Sequence, residues 1–179
     1  MRLTVSFALF LASAPAWSLC REAVRASTPM ARFIINANGT ATDRRTGLTW
    51  QRCALGTVLD DGGTPAVLGD DHCLPLPGVA QTYSWGGALL ATQSLNAAGG
   101  LGGFADWRVP NRKELASIVE TRCTGPAINT QVFPDTASGS FFVSTSTASA
   151  QTFAFTTNFA WGGEGIESKT ALLPVRLVR

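Results

Sequence analysis

Alternating polar and apolar positions near the start of the chain predict short β-strands. Residues 32–35 (Arg-Phe-Ile-Ile), 40–43 (Thr-Ala-Thr-Asp) and 48–52 (Leu-Thr-Trp-Gln-Arg) are separated by an Asn-Ala-Asn-Gly turn and by a turn that ends at Gly47. Runs of β-branched and aromatic residues between such turns are typical of antiparallel strands. The pattern therefore predicts a three-stranded meander over residues 32–52.

Two segments in the middle of the chain have the apolar spacing and the end signals of helices. Ser84 can cap a helix over residues 85–98, which a Gly-Gly pair ends. Asn111 can cap a second helix that extends to about Arg122, because a glutamate at its third position completes a capping box. We therefore expect two helices between the strands.

The rest of the chain has the composition of strands and of one long loop. Residues 141–144, 152–156 and 172–178 predict further strands. Residues 54–82 are rich in Gly, Pro and Asp and predict a loop, either a binding loop or a variable insertion. The order of strands, two helices and strands favours an α+β fold over alternating βαβ units.

The first residues have the pattern of a secretory signal peptide. Arg2 precedes an apolar run of about ten residues, and Ala14-Pro15-Ala16 has the small-x-small form that signal peptidase recognises. The run is shorter than the roughly 20 residues that span a bilayer. We therefore expect residues 1–16 to be a signal peptide, residues 17–31 an N-terminal arm and residues 32–179 a single domain. The mature chain would be exported, without a membrane span, to the periplasm, the cell surface or the medium.

The four cysteines predict disulfides, because an exported chain enters an oxidising compartment. Cys20, Cys53, Cys73 and Cys123 lack the closely spaced pairs of zinc sites, and the chain has a single histidine. We therefore expect two disulfides and no metal site. Three pairings are possible. We favour Cys53 with Cys73, which would close the base of loop 54–72, and Cys20 with Cys123, which would tie the arm to the end of a helix.

The charge of the chain is small but unevenly distributed. Only 15% of the 179 residues are charged and the formal net charge is +2. Such a balance gives no strong field for phosphate backbones, so we expect no nucleic-acid partner. Residues 17–56 nevertheless hold six arginines against two acidic residues, and four aspartates follow between residues 60 and 71. The first cluster could bind an anion and the second Ca²⁺, although both patterns also fit an ordinary solvated surface.

Several motifs, taken in order, resemble a known family. They are residues 38–43 (Asn-Gly-Thr-Ala-Thr-Asp), 46–53 (Thr-Gly-Leu-Thr-Trp-Gln-Arg-Cys), 104–115 (Phe-Ala-Asp-Trp-Arg-Val-Pro-Asn-Arg-Lys-Glu-Leu), 126–129 (Pro-Ala-Ile-Asn), 132–134 (Val-Phe-Pro) and 175–179 (Val-Arg-Leu-Val-Arg). Through them residues 32–179 resemble the DUF1566 family, the domain at the C-terminus of the Legionella collagen-like adhesin. The resemblance implies an exported recognition module.

A more distant resemblance concerns the architecture. Ser84-Trp85 at a helix start, Arg108-Val109-Pro110 before the next helix and the terminal strand 175–179 are similar to motifs of formylglycine-generating enzymes and related iron oxidases. This resemblance implies a C-type-lectin-like fold of short, twisted antiparallel strands with two helices, held by disulfides.

Other motif residues are expected to stabilise the fold. Large apolar areas would be buried by three tryptophans, Trp50, Trp85 and Trp107. Asp106, Arg108 and Arg176 would form a buried or half-buried network of charged hydrogen bonds that ties the helix entry to the last strand.

Four residues are candidates for ligand binding. Arg44, Arg45 and Arg52 could contact sulfate groups, because guanidinium forks suit tetrahedral oxyanions. Trp161, in a predicted turn with two glycines, is the one aromatic residue expected to be exposed, and it could stack on a sugar. Family members usually carry Trp-Ser-Ser where this chain has residues 142–145 (Phe-Val-Ser-Thr), which puts a lectin-like site in doubt.

The resemblance implies binding of carbohydrate, possibly a sulfated polysaccharide, in adhesion. The alternative is a structural or protein-interaction module of the envelope with no small ligand. The chain lacks a collagen-like repeat, so multivalent binding would need an oligomer or another protein. Gly-x-Ser-x-Gly, phosphate-loop and His-Glu-x-x-His motifs do not occur in the sequence. We therefore expect no catalytic residues, no cofactor and no enzymatic activity.

Overall fold

A computed structural model describes residues 19–64, 66–148 and 150–179. The predicted signal peptide and the first two residues of the arm lie outside these ranges. The described chain is an α+β domain of small antiparallel sheets with two α-helices. The strands are β1 (Leu19–Cys20), β2 (Phe33–Asn36), β3 (Thr40–Asp43), β4 (Thr49–Gln51), β5 (Thr57–Asp60), β6 (His72–Pro75), β7 (Cys123–Thr124), β8 (Ser140–Ser146), β9 (Phe153–Asn158) and β10 (Gly163–Ser168). The helices are α1 (Trp85–Ala97) and α2 (Arg112–Ala116), and a 3-10 helix covers Met30–Arg32.

The predicted meander is confirmed as the sheet β2-β3-β4. Its antiparallel register places Ile35 opposite Ala41 and Ala41 opposite Trp50. Gly39 has a φ of +76° in the turn between β2 and β3, a conformation that favours glycine. Ala41 and Trp50 are fully buried, and the ring of Phe33 meets that of Phe133 edge-on. The sheet therefore covers one side of the core.

A second sheet, in the order β10-β9-β8, contains a strand that the sequence did not reveal. β8 and β9 confirm the strands predicted at residues 141–144 and 152–156. β10 pairs with the full length of β9, from Gly163 opposite Asn158 to Ser168 opposite Phe153. The sequence of β10 has a weak β-strand propensity, because it contains two glycines and one large apolar residue. Its hydrogen-bonded pairing with β9 therefore determines its conformation.

Both predicted helix caps are present. Ser84 accepts a hydrogen bond from a backbone N–H of the first turn of α1, and Asn111 forms the predicted capping box at the start of α2. The predicted end of α2 near Arg122 is wrong, because the helix ends at Ala116. The backbone N–H of Glu120 donates to the carbonyl of Ala127 and not to that of Ala116, so the helix does not continue.

Two other segments differ from the prediction. Residues 54–82 are not all loop, because they contain the hairpin β5-β6, in which Leu59 faces Cys73. The C-terminal strand predicted at residues 172–178 is not continuous and makes single bridges, including those of Val178 to Trp50 and to Arg108. Val178 thereby joins the meander to the segment that precedes α2.

The three tryptophans belong to the two apolar clusters of the core, Trp50 to one and Trp85 and Trp107 to the other. Trp50 and Trp107 are buried, as predicted. Trp85 is half-buried at the start of α1. Its Nε1 donates to the carbonyl of Val143 at 2.9 Å, and the Lys169 ammonium lies 4.3 Å from its ring centroid. Trp85 therefore fastens α1 to β8 at the edge of the core.

Both favoured disulfides are confirmed. Cys53–Cys73 joins the segment between β4 and β5 to β6, and Cys20–Cys123 joins β1 to β7 across 103 positions of the sequence. Disulfides of this kind are typical of exported proteins. Among the described residues, no helix has the length and apolar character needed to cross a bilayer.

The N-terminal arm is held against the domain by the buried carboxylate of Glu120. The backbone N–H groups of Ser27 and Thr28 donate to it at 3.0 and 2.9 Å. Burial opposes ionisation of Glu120, but hydrogen bonds from these groups and from the N–H of Arg122 outweigh burial and lower its pKa. The arm is therefore an integral part of the folded domain.

Candidate functional site

A cleft of about 470 Å³ lies between the N-terminal arm and the turn that joins β3 to β4. Arginine dominates its lining, and it is called the arginine cleft below. Its residues are Arg25, Arg32, Arg44 and Arg45 together with Ala26, Ser27, Pro29 and Ala31. Two of the four predicted ligand-binding residues, Arg44 and Arg45, therefore lie in this cleft.

Asp43 organises the turn that carries Arg44 and Arg45. Its Oδ1 accepts from the backbone N–H of Arg45 at 2.9 Å and its Oδ2 from the hydroxyl of Thr46 at 2.8 Å. The N–H of Gly47 closes the turn on the Asp43 carbonyl at 2.8 Å. Asp at the start and Gly at the end of a turn supply these contacts. The turn presents both arginines to solvent, since both are exposed.

The arginines of the cleft differ in their partners. Arg32 forms a bidentate pair with Asp43, with Nε–Oδ1 and Nη2–Oδ2 distances of 2.8 and 2.5 Å. Burial opposes ionisation of Asp43, but hydrogen bonds from Arg32 and from the turn outweigh it and lower the pKa of Asp43. Arg25, Arg44 and Arg45 take part in none of the ion pairs among the described residues. The cleft therefore presents three positive charges without a local counter-charge.

Arg52 does not belong to this surface, which corrects its assignment as a sulfate contact. Its side chain is 2% exposed and pairs with the equally buried Asp71 at 2.5 Å. Its Nε and Nη2 also donate to the carbonyls of Val132 and Gln131 at 2.9 and 3.0 Å. Arg52 is thus a buried crosslink between the end of β4 and two other segments, and no external anion can reach it.

Trp161 lies in the turn between β9 and β10, outside the arginine cleft. It is 58% exposed, as predicted, although Phe153 is also 40% exposed and Trp161 is therefore not the one exposed aromatic residue. Its indole lies over Gly163, where any side chain would collide with the ring. The absence of a Cβ at position 163 thus allows the indole to fold back onto β10.

A family model of the Lcl C-terminal domain matches residues 39–179, most of the chain. The chain belongs to this family. The match confirms the resemblance to the DUF1566 family and to the C-terminal domain of the Legionella collagen-like adhesin. A comparison with curated proteins found no significant match.

Only part of the arginine cleft lies within the residues that match the Lcl C-terminal domain. Arg44 and Arg45 lie inside the matched region, whereas Arg25 and Arg32 precede it. The sequence indicated Arg25 only as one of six arginines between residues 17 and 56. Its place opposite the β3–β4 turn depends on the folded arm, and no local pattern could predict it.

The predicted network of Asp106, Arg108 and Arg176 is not present in this Lcl C-terminal domain. Asp106 instead pairs with Arg179, with an Nε–Oδ1 distance of 2.7 Å, because the backbone bridge of Arg108 to the last segment brings Arg179 beside it. Arg108 pairs with Glu114 at 2.7 and 2.8 Å. Both pairs are partly exposed, so they support the entry to α2 at the surface rather than in the core.

Arg176 is fully buried and bonds to neutral oxygens. Its guanidinium donates to the carbonyls of Gln51 and Arg52 and to the hydroxyl of Thr136. Burial, and then the nearby charge of Arg52, lower the pKa of Arg176 to about 9. Arg176 therefore joins the last segment of the chain to the end of β4 and to Thr136 in the core, not to Asp106 or Arg108 as predicted.

Proposed function

We propose that this chain is a non-enzymatic, exported recognition module that binds sulfated polysaccharide through the arginine cleft. Membership of the Lcl C-terminal domain family indicates an adhesin-like module. The observation that carries the finer proposal is the set of exposed, unpaired guanidiniums of Arg25, Arg44 and Arg45. The C-type-lectin-like architecture stays a prediction, and the proposed function does not depend on it.

Sulfate groups suit these arginines. Guanidinium forks match the geometry of tetrahedral oxyanions, and the cleft contains no free carboxylate to repel them. The whole chain has a net charge of only +2, so the attraction is concentrated at the cleft. Exposed charges are screened over about 8 Å at physiological ionic strength. Binding should therefore weaken steeply as salt is added.

Chromatography on immobilised heparin tests this proposal. We expect the wild-type domain to be retained at low salt and Arg44→Ala/Arg45→Ala to elute at much lower salt. The double variant should bind heparin about 30-fold more weakly, since each basic residue near an anionic surface contributes roughly a factor of five. Arg21→Ala/Lys113→Ala, which removes two exposed charges outside the cleft, is the matched control. A folded wild type that is not retained, or a control that loses as much as the double variant, would overturn the proposal.

A second candidate function is supported by exposed apolar residues in β10 and in the turn that precedes it. Trp161 is 58% exposed and Ile166 is 54% exposed, and β10 is an edge strand of its sheet. Such surfaces are often covered by other proteins. This alternative is an envelope module that binds a protein. Co-purification of a partner that Ile166→Lys abolishes, together with no heparin retention, would favour it.

A further inference from the structure

The arginine cleft has two walls, which come from separate parts of the chain. The β3–β4 turn presents Arg44 and Arg45, and the N-terminal arm presents Arg25. The arm is neither helix nor strand at Arg25, so its position there depends on the points where it is attached. One attachment, the Cys20–Cys123 disulfide, precedes Arg25 in the chain. The groups that hold the arm after Arg25 therefore determine how the two walls face each other.

Glu120 is the first of these groups. It is 2% exposed, and its carboxylate accepts from the backbone N–H groups of Ser27 and Thr28 at 3.0 and 2.9 Å. The hydroxyls of the same two residues donate to it at 3.2 and 3.0 Å. One carboxylate thus receives four hydrogen bonds from two consecutive residues of the arm. Glu120 is not among the residues that line the cleft, so it acts on the cleft through the arm.

Arg32 is the second group, and it joins the arm to the turn. Its Nε and Nη2 bind the carboxylate of Asp43, and its Nη1 donates to the carbonyl of Ser27 at 3.3 Å. The carbonyl of Arg32 also accepts from the backbone N–H of Arg44 at 2.9 Å. The side chain of Arg32 is only 8% exposed. It therefore offers little surface to a polysaccharide and instead connects the two walls.

We propose that Glu120 and Arg32 are positioning residues for sulfate binding. Together they hold Arg25 opposite the two arginines of the β3–β4 turn. A segment that is already fixed in its binding position loses less conformational entropy when the ligand binds, which increases affinity. The position of Arg25, and not only its charge, therefore contributes to binding. This role rests on the function proposed for the arginine cleft.

Two substitutions distinguish position from charge. Glu120→Gln removes a negative charge, and its amide nitrogen cannot accept hydrogen bonds from the arm. Arg32→Lys keeps the positive charge but loses the planar fork that binds Asp43 in two places. If heparin responded only to charge, the first variant would bind more tightly and the second equally well. Because position contributes, we expect each variant to bind about fivefold more weakly, the contribution of one basic residue.

Chromatography of the oxidised domain on immobilised heparin measures these effects. Each variant has a matched control outside the cleft. Glu167→Gln removes one negative charge, and Arg112→Lys makes the same change in a bidentate pair with Glu164. We expect both controls to elute at or above the salt concentration that elutes the wild type. Circular dichroism establishes that each variant is folded, and Arg32→Lys decides the outcome if Glu120→Gln does not fold.

A double-mutant cycle separates positioning from a general loosening of the domain. Arg25→Ala should weaken heparin binding about fivefold. Adding Glu120→Gln to Arg25→Ala should cause little further loss, because the residue that Glu120 positions is then absent. Adding Glu120→Gln to Arg44→Ala should instead multiply the two losses to about 25-fold. Multiplied losses in both combinations would contradict the positioning role.

Retention of the wild type separates failure of this inference from failure of the proposed function. A folded wild type that heparin does not retain would overturn both. A retained wild type, with Glu120→Gln and Arg32→Lys retained as strongly, would overturn the positioning role alone.

Discussion

The substitution Asp71→Asn tests whether the buried ion pair of Arg52 and Asp71 is essential to the fold. Both side chains are 2% exposed, and Asp71 is the carboxylate that balances the Arg52 guanidinium. Arg176 lies fully buried nearby, and no carboxylate of the described residues bonds to it. Without the charge of Asp71, two guanidiniums would share the interior with only neutral oxygens as partners.

The expected loss of stability is large. Removing one partner of a buried ion pair lowers the free energy of unfolding by about 3–5 kcal/mol. For a domain of this size, each kcal/mol shifts the melting temperature by roughly 2–4 °C, so a fall of about 6–20 °C is expected. Thermal unfolding followed by circular dichroism without reductant measures it, and urea unfolding gives the free energy directly.

Asp106→Asn is the matched control, because it makes the same chemical change in an exposed pair with Arg179. Its melting temperature should barely move, since surface ion pairs contribute little. If Asp71→Asn lowered the free energy of unfolding by less than about 1 kcal/mol, or no more than Asp106→Asn does, the reasoning about the buried pair would be wrong.

Two further outcomes follow from the described contacts. The folded state lowers the pKa values of Asp43, Glu114 and Glu120. Their ionised forms therefore stabilise the folded state at pH values above the ordinary carboxyl pKa, which is near 4.5 for Glu. Stability should therefore be nearly constant from pH 7 to about 5 and fall as the pH drops further, as acid titration of the melting temperature would show; a rise below pH 4 would contradict these assignments. Gly163→Ala should displace the indole of Trp161 with a stability loss below about 1 kcal/mol, because the exposed ring can rotate away. Quenching of tryptophan fluorescence by iodide should increase, and unchanged quenching would show that the ring does not rest on position 163.

Features that depend on neighbouring residues could be predicted from the sequence. The meander has turn residues between β-forming runs, and the caps of α1 and α2 need only Ser84, Asn111 and Glu114. The disulfide between Cys53 and Cys73 was favoured because it would close the Gly- and Asp-rich loop between them. In each case the signal lies within about 20 residues of the feature it determines.

Most features that depend on distant residues could not be predicted, although the Cys20–Cys123 disulfide, which joins positions 103 apart, was favoured and is confirmed. Arg52 has the local setting of an exposed strand end, and its burial depends on Asp71 and on carbonyls about 80 positions away. β10 depends on its ladder with β9, and the hairpin β5-β6 lies in a segment with the composition of a loop. For the candidate site the result is mixed, because Arg44 and Arg45 were identified individually whereas Arg25 was not.

The attachment of the arm to Cys123 and Glu120 determines when the arginine cleft can exist during synthesis. Its arginines are encoded within 21 positions, from Arg25 to Arg45, yet the groups that position the arm emerge from the ribosome about 75 residues after Arg45. A peptide that covers only the arginines would carry the charges without the wall that the arm provides. The proposed anion-binding surface therefore requires the folded, oxidised chain through Cys123, and a shorter nascent chain would not yet present it.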